Sequence, residues 1–198
     1  MNGSGKVSRR GLALAGFGAA AGAALAPAVV PAVAPAVATP RRRKTSLSQD
    51  DRAAVTDLFT RYVWAYDCTD EEEFLALFTN DAIVVGKGKV YRDKSTILAW
   101  FRTLIAMRER EGDDIWMHEA GQFRFETTAQ GCIVYAYATH FSANTAKALR
   151  GVRSLGYFTC ECVKQGGEWR FARFSISVWD RTKVPWKKPL PWADLPPA

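Results

Sequence analysis

Four long segments rich in aromatic and β-branched residues occupy the second half of the chain and constrain its fold more than any other feature. They cover residues 115–126, 132–141, 154–163 and 168–179. Glycine-containing pairs at Gln130–Gly131 and Gly166–Gly167 lie at two of the junctions, as is typical of tight turns between antiparallel strands. The pattern predicts a meander of long antiparallel strands.

Two amphipathic helices are predicted before these strands. From Asp50, apolar residues recur at helical spacing as far as Tyr66, which gives a first helix one apolar stripe and an end near Cys68. Thr69, followed three residues later by Glu72, is typical of the capping box that begins a second, short helix.

A short strand and a third helix follow. Residues 82–86 (AIVVG) predict the strand, and Asp93 or Ser95 begins a helix that should give way to a polar loop over residues 108–114. Helices followed by a run of strands predict an α+β domain. In such a domain three N-terminal helices pack on one side of a curved, mostly antiparallel sheet.

The net charge of +7 lies entirely at the N-terminus. Seven of the 27 Lys and Arg residues precede residue 49, where no acidic residue occurs, so 20 basic residues balance 20 acidic residues in the remainder. The balanced remainder gives no electrostatic support for a nucleic-acid partner.

The N-terminal segment is typical of an export signal. Arg9 and Arg10 precede a run rich in Ala, Gly and Leu, and Ala36–Ala38 supplies small residues for cleavage. An uncleaved membrane anchor is the alternative, but prolines interrupt the run and its Ala and Gly content is poor for a bilayer span. We therefore expect residues 1–38 to be a twin-arginine signal peptide. The protein would be periplasmic or extracellular, with no stable membrane insertion after cleavage.

Three regions are predicted after the signal. Residues 39–49 form a polar linker, residues 50–180 form one folded domain, and residues 181–198 form a tail rich in proline and tryptophan. Trp186 and Trp192, set among prolines, favour an ordered wrap or lid, and a disordered end is the alternative.

The four cysteines favour a structural role. An even number outside the cytosol permits disulfides, but Cys160 and Cys162 share one face of a strand and cannot bridge each other. No metal-ligand spacing that includes Cys68 or Cys132 occurs, so no metal site is expected. Small buried hydrophobic side chains are the favoured interpretation, and the disulfide status stays open.

Tyr66 and Asp67 stand where the first helix should end. The helix macrodipole disfavours a carboxylate at a C-terminal end, so a buried Asp67 needs a hydrogen-bond donor. His118 and His140, the only two histidines, both fall on predicted strands, and imidazole is well suited to moving protons near neutral pH. We expect Asp67 to orient and charge His140, with His118 as a second proton carrier, although either imidazole is a candidate partner for the carboxylate.

These groups suffice for acid/base chemistry at a carbonyl compound. Tyr66 can donate a hydrogen bond to the carbonyl oxygen while the imidazoles remove an α-proton and protonate a leaving hydroxyl, with no metal or organic cofactor. Structural roles are the alternative for each residue. A strand histidine is commonly structural, Tyr66 lies on a stripe that normally forms core, and Asp67 can accept hydrogen bonds from the turn that follows it.

Several motifs resemble the SnoaL-like branch of the NTF2-like superfamily, and within it the scytalone dehydratase-like proteins. They are residues 62–82 (YVWAYDCTDEEEFLALFTNDA), His118 followed by Gly121, His140 at the end of the next strand, and residues 166–180 (GGEWRFARFSISVWD). The resemblance covers roughly residues 50–180. It implies a cone of curved sheet closed by three helices around an apolar pocket.

The resemblance also implies a set of site residues. Asp67, His118, His140 and Tyr66 match the family's acid/base positions, and Tyr62, Phe158 and Tyr91 are expected to contact substrate. The family's second site tyrosine is replaced here by Gly86, with Tyr91 as the nearest substitute. Two polar pocket residues are replaced by Gly156 and Phe158. The pocket should therefore be more apolar than the family's, and scytalone itself is not the expected substrate.

The leading hypothesis is an exported, cofactor-independent dehydratase or isomerase acting on a small hydrophobic cyclic carbonyl compound. A cyclase using the same pocket, and a non-catalytic small-molecule-binding or assembly module, are the alternatives. Enzymatic use predicts Asp67, His118 and His140 around one cavity, whereas a binding module would place at least one imidazole on the outer face. A homo-oligomer formed through the outer face of the sheet is compatible with the sequence.

Overall fold

The structure, a computed structural model, describes residues 46–112 and 114–195. The predicted signal peptide and most of the predicted linker lie outside the described residues. Within these ranges, no helix is both long enough and apolar enough to cross a membrane. In chain order the elements are α1 (Gln49–Asp67), α2 (Glu71–Ala76), β1 (Phe78–Gly86), β2 (Lys89–Arg92), α3 (Asp93–Glu111), β3 (Ile115–Thr127), β4 (Gly131–Asn144), β5 (Leu149–Gln165) and β6 (Glu168–Val178), with 3₁₀ turns at Thr145–Lys147 and Pro185–Lys187.

In the described part of the chain, one six-stranded sheet carries the fold, in the order β2-β1-β6-β5-β4-β3. β1 and β6 pair in parallel, and every other neighbouring pair is antiparallel. Helix α1 packs on β3 and β6, while α3 packs on β1 and β2. The predicted α+β class, with helices against a mostly antiparallel sheet, is confirmed.

An aromatic core joins the helices to the inner face of the sheet. Phe59 and Tyr62 extend from α1 and meet Phe171 of β6, with ring centroids 5.1 and 6.0 Å apart. Phe74 of α2 packs on Phe101 of α3 at 4.3 Å. These buried rings meet at tilted and edge-to-face angles, which aromatic quadrupoles favour, and they hold the helices over the sheet.

Helix α2 begins one residue later than the capping-box pattern predicts. Asp70 is the N-cap residue, and its carboxylate accepts a hydrogen bond from the Glu73 backbone N–H at 3.0 Å. Thr69 adopts a positive φ of 61° instead, and its hydroxyl accepts a hydrogen bond from Arg108. The predicted Thr69–Glu72 box is therefore wrong, because Asp70, an equally good capping residue, has the extended backbone that an N-cap requires.

The edge formed by β1 and β2 is longer than the sequence predicts. β1 begins at Phe78 rather than at residue 82, and β2, which was not predicted, pairs with it through the two-residue turn Lys87–Gly88. Both turn residues have positive φ, 50° and 74°, as a type I′ hairpin turn requires. Lysine is uncommon in that conformation, so this turn lacked the usual signal at its first position.

Helix α3 continues through most of the segment predicted as a polar loop. It extends to Glu111, and Gly112 ends it in the left-handed conformation with φ 70°. Arg108 and Arg110 lie in its last turn, where positive charge is favoured by the helix dipole. Residues 108–111 are therefore the solvated end of a helix.

The described part of the tail packs on the outer face of the sheet. Trp186 meets Tyr135 at 6.0 Å between ring centroids, and the Arg124 guanidinium lies 4.5 Å from the centre of the Trp186 ring. Lys188 Nζ donates a hydrogen bond to Tyr157 Oη at 3.1 Å. The segment is thus an ordered wrap over the outer face, on the side opposite to the helices.

Candidate active site

A cavity of about 380 Å³ lies between the inner face of the sheet and helices α1 and α3. Its volume falls in the usual range for small-molecule sites, roughly 300–1,000 Å³. Mainly apolar and aromatic side chains form the walls, among them Tyr62, Tyr66, Trp100, Trp116, Ala138 and Phe158. His118 and His140 both line this cavity, so neither imidazole lies on the outer face.

Asp67 ends α1 with its carboxylate held by a single residue of β3. The His118 backbone N–H donates to Oδ2 at 2.7 Å, and His118 Nδ1 lies 2.6 Å from Oδ1. The two side chains are 12% and 19% exposed, so both hydrogen bonds form largely out of water. This arrangement supplies the donors that a carboxylate at a helix C-terminus needs.

Arg108 supports the same helix end from α3. Its Nη1 donates to the Asp67 backbone carbonyl at 3.2 Å, and its Nη2 donates to Thr69 Oγ1 at 2.9 Å. The guanidinium also lies 5.8 Å from the centre of the Trp116 ring. Arg108 therefore satisfies a terminal carbonyl of α1 and places a positive charge where the dipole favours one.

The two imidazoles meet because their strands pair in register. His118 of β3 lies directly opposite His140 of β4. Since the His118 backbone N–H points to Asp67 and not to β4, the two histidines form a non-hydrogen-bonded pair, the kind in which opposite side chains lie closest. The rings stack with centroids 4.6 Å apart and an interplanar angle of 17°.

The expectation that Asp67 orients His140 is wrong, because the carboxylate contacts His118. The reason is topological: β3 is the edge strand that packs on α1, and β4 lies one strand further from the helix. His140 instead packs on His118 and on Trp116, whose ring centroids lie 4.6 and 3.8 Å from its own.

The hydrogen bonds to Asp67 select one tautomer of the neutral His118 ring. An ionised carboxylate only accepts hydrogen bonds, so Nδ1 carries the proton and Nε2 keeps its lone pair. An imidazole oriented by a carboxylate in this way is a competent general base, because the carboxylate also stabilises the imidazolium that forms.

Two tyrosines one helical turn apart line the cavity. Tyr62 and Tyr66 stack with ring centroids 6.2 Å apart and an interplanar angle of 8°. Tyr66 also meets the His118 ring edge to face at 4.9 Å. Burial raises the pKa of both phenols, and the carboxylate of Asp67 raises that of Tyr66 further, although Arg108 opposes this. Both groups therefore remain protonated and can donate a hydrogen bond.

Trp116 is a site residue that sequence reasoning missed. Its ring packs on both imidazoles, and its indole N–H is buried with no acceptor among residues 46–112 and 114–195. The sequence held one indication of this role: Trp116 lies two residues before His118, which places both side chains on one face of a strand.

The predicted substrate contacts are only partly brought together. Tyr62 and Phe158 line the cavity, while Tyr91 does not, because its ring packs on Trp100 at 5.8 Å. Gly86, which the sequence resemblance matches to a tyrosine of the family, leaves the adjacent edge of the Trp100 indole uncovered at that position. A β-carbon added there would lie 3.6 Å from that edge.

The cysteines take no part in the cavity. All four are free, and Cys132, Cys160 and Cys162 are fully buried, while Cys68 is exposed. Burial raises the pKa of the Cys160 and Cys162 thiols, which keeps them protonated and unreactive. Across the described ranges, no cluster of three or more His, Cys, Asp or Glu residues could hold a metal ion.

Fold and cavity together define a small α+β protein in which helices close an acid/base-lined pocket against a curved sheet. Residues 48–175 match the SnoaL-like domain, which is most of the chain, and the protein therefore belongs to the SnoaL-like domain family. The family assigned from sequence motifs is confirmed. No curated protein matches the chain.

Solved structures share this fold at low sequence identity. An NTF2-like protein with a cystatin-like fold from Novosphingobium aromaticivorans is 18% identical, with a TM-score of 0.58 over 67% of this chain and 84% of the other. A candidate scytalone dehydratase from the same species is 16% identical, with a TM-score of 0.56 over 66% and 85%. ActVI-ORFA from Streptomyces coelicolor is 12% identical, with a TM-score of 0.60 over 66% and 96%. These matches confirm the NTF2-like fold.

Proposed function

We propose that the protein is a cofactor-independent acid/base enzyme, a dehydratase or isomerase that acts on a small hydrophobic cyclic carbonyl compound. The proposal rests mainly on the hydrogen-bonded pair Asp67–His118. The His118 ring stacks on His140, and both imidazoles line an apolar cavity. Such a cavity excludes water from the reacting atoms and strengthens each polar contact within it.

The residues divide the chemistry between them. Tyr66 donates a hydrogen bond to the substrate carbonyl oxygen, and His118 Nε2 removes the proton from the α-carbon, so the C–H electrons pass into an enolate. When the carbonyl re-forms, a β-hydroxyl leaves as water with a proton from the His140 imidazolium. Solvent then carries the proton from His118 to His140. In an isomerase, the imidazoles return the proton to a different carbon.

Two alternatives use the same cavity. A cyclase needs the same proton acceptor, with the enolate attacking a second carbonyl within the substrate. A non-catalytic binding or assembly module needs only the apolar walls. The inward position of both imidazoles favours an enzyme, because a binding module has no requirement for a carboxylate-oriented base.

Proton exchange tests the proposal without knowledge of the natural substrate. In D₂O, the protein is expected to accelerate α-proton exchange of 2-tetralone or cyclohexanone, followed by ¹H NMR. His118→Ala should lower the accelerated rate by roughly 10²- to 10⁴-fold, because the general base is lost. Glu119→Ala is the matched control, since Glu119 is an exposed neighbour outside the cavity. Exchange no faster than in the His118→Ala variant would contradict the proposal.

We further propose that the protein is exported by the twin-arginine route and acts at the cell envelope or outside it. Replacing both Arg9 and Arg10 by Lys should leave the full-length chain in the cytoplasm, whereas the wild-type chain should appear in the envelope or medium without its first 38 residues or so. Replacing Arg41 and Arg42 by Lys is the matched control. Cell fractionation with intact-mass measurement checks the result, and equal export of both double variants would contradict it.

A further inference from the structure

The cavity has a second polar end, at the β1–β2 turn, that the proposed proton transfer does not use. Lys87 lies in this turn and lines the cavity together with Trp100 of α3. In the sheet, three strands (β6, β5 and β4) separate β1 from β3, the strand that carries His118. The cavity therefore has an acid/base end and a cationic end.

The positive charge of Lys87 is not neutralised within the described residues. Its ammonium donates to Met107 Sδ at 3.6 Å, and a thioether sulfur carries no charge. Two other charged residues line the cavity, Glu111 and Arg153, and they pair with each other at 3.1 Å. The lining therefore carries one cation in excess, on an exposed side chain whose backbone is held by the two-residue turn.

A hydrogen-bond donor lies beside this charge. Trp100 is 95% buried, and its indole lines the cavity. Because Gly86 has no side chain, its own position leaves the Nε1 edge of the indole uncovered; a β-carbon there would lie in van der Waals contact, 3.6 Å from Nε1. A cation and an indole N–H at one end of an apolar cavity match an anionic oxygen attached to a ring system.

We infer that Lys87 and Trp100 form an anion subsite, and that the protein binds cyclic compounds carrying one acidic group, such as a carboxylate, a sulfonate or an ionised enol. The acidic group lies between the ammonium and the indole N–H, and the apolar ring extends along the cavity. In this orientation the carbonyl of a bound substrate points toward Tyr66 and His118. The direction of the carbonyl rests on the proposed function.

Two fluorescent probes with one aromatic skeleton test the subsite on the full chain. The anionic probe is 1-anilinonaphthalene-8-sulfonate, and the uncharged probe is N-phenyl-1-naphthylamine. Lys87→Met should weaken binding of the sulfonate roughly 3- to 10-fold and change binding of the uncharged probe less than about twofold. Lys87→Arg should retain sulfonate binding, and Trp100→Phe should weaken it while keeping most of the ring contact.

Controls separate the subsite from packing effects and from surface binding. Lys89→Met removes an exposed lysine outside the cavity and should leave both dissociation constants unchanged. Ala138→Trp fills the cavity and should weaken both probes. Equal weakening of the two probes by Lys87→Met, or sulfonate binding that survives Ala138→Trp, would overturn the inference. Failure of the proposed chemistry has a different signature: the wild-type protein would exchange α-protons no faster than His118→Ala, while its preference for the anionic probe stayed intact.

Discussion

Replacing Asp67 by Asn is expected to lower the accelerated α-proton exchange roughly 10²- to 10⁴-fold. The carboxylate accepts two hydrogen bonds from His118, and an amide of the same shape can accept only one of them. If its oxygen accepts from the backbone N–H, its NH₂ group faces Nδ1 and stabilises the tautomer protonated at Nε2. That tautomer has no lone pair at Nε2 with which to remove a substrate proton.

The same amide substitution at a second acid provides the control. Glu71→Gln removes a carboxylate from the first turn of α2, where it pairs with Arg102 at the surface. Exposed ion pairs contribute little to stability, so this variant should exchange protons at the wild-type rate. Melting curves for both variants show that each remains folded. If Asp67→Asn, still folded, retained more than about a tenth of the wild-type rate, the predicted role of the carboxylate in orienting the general base would be contradicted.

Gly131→Ala is expected to destabilise the fold by roughly 3 kcal/mol or more. Gly131 begins β4 opposite Val163 of β5, and a β-carbon there would lie 2.0 Å from the Cys162 carbonyl oxygen and 3.1 Å from Val163 Cα. These are backbone atoms of a central strand, so relief requires the β4–β5 pairing to separate locally. Urea unfolding followed by circular dichroism measures the change in the free energy of unfolding.

Gly121→Ala is the matched control for this prediction. Gly121 lies on the neighbouring strand β3, and a β-carbon there would meet no heavy atom within 4 Å. The free energy of unfolding of Gly121→Ala should change by less than about 1 kcal/mol. Any change should be stabilising, because the added side chain restricts the unfolded chain. A Gly131→Ala protein as stable as Gly121→Ala would contradict the prediction. It would show that the end of the β4–β5 pair adjusts to the added methyl group without loss of stability.

The face of His140 could be read from the sequence, whereas the partner of Asp67 could not. In a strand, side chains alternate between faces, so the small neighbours of His140, Ala136 and Ala138, indicated a cavity on that side. Both alanines lie on the inner face and pack in or against the core. Which imidazole reaches the carboxylate depends on β3 being the edge strand beside α1, and strand order is set by contacts remote in sequence.

Local errors have local physical causes. Thr69 and Asp70 are both good capping residues, and the choice between them depends on the turn that leaves α1, where Arg108 binds Thr69. Residues 108–111 are charged because they form the solvated end of α3, a pattern that a polar loop shares. β2 spans four residues and carries two charged side chains, so it had no apolar alternation by which to recognise it.

The anion subsite could not be anticipated either. Lys87 follows Gly86 in a turn without a standard turn signal, and the indole N–H of Trp100 is brought to it from α3 by tertiary packing. The absent side chain at Gly86 was visible in the sequence as the loss of a family tyrosine. Its consequence, space for one side-chain atom beside the Trp100 indole, depends on the side-chain packing around that position.

The central claim is that Asp67 holds His118 in the tautomer that leaves Nε2 unprotonated toward the cavity. Long-range ¹H–¹⁵N NMR of the histidine-labelled protein, at a pH where the rings are neutral, reports which nitrogen of His118 carries the proton. We expect protonation at Nδ1 in the wild-type protein and a shift of the proton to Nε2 in Asp67→Asn. A wild-type His118 protonated at Nε2, or a tautomer unchanged by Asp67→Asn, would contradict it.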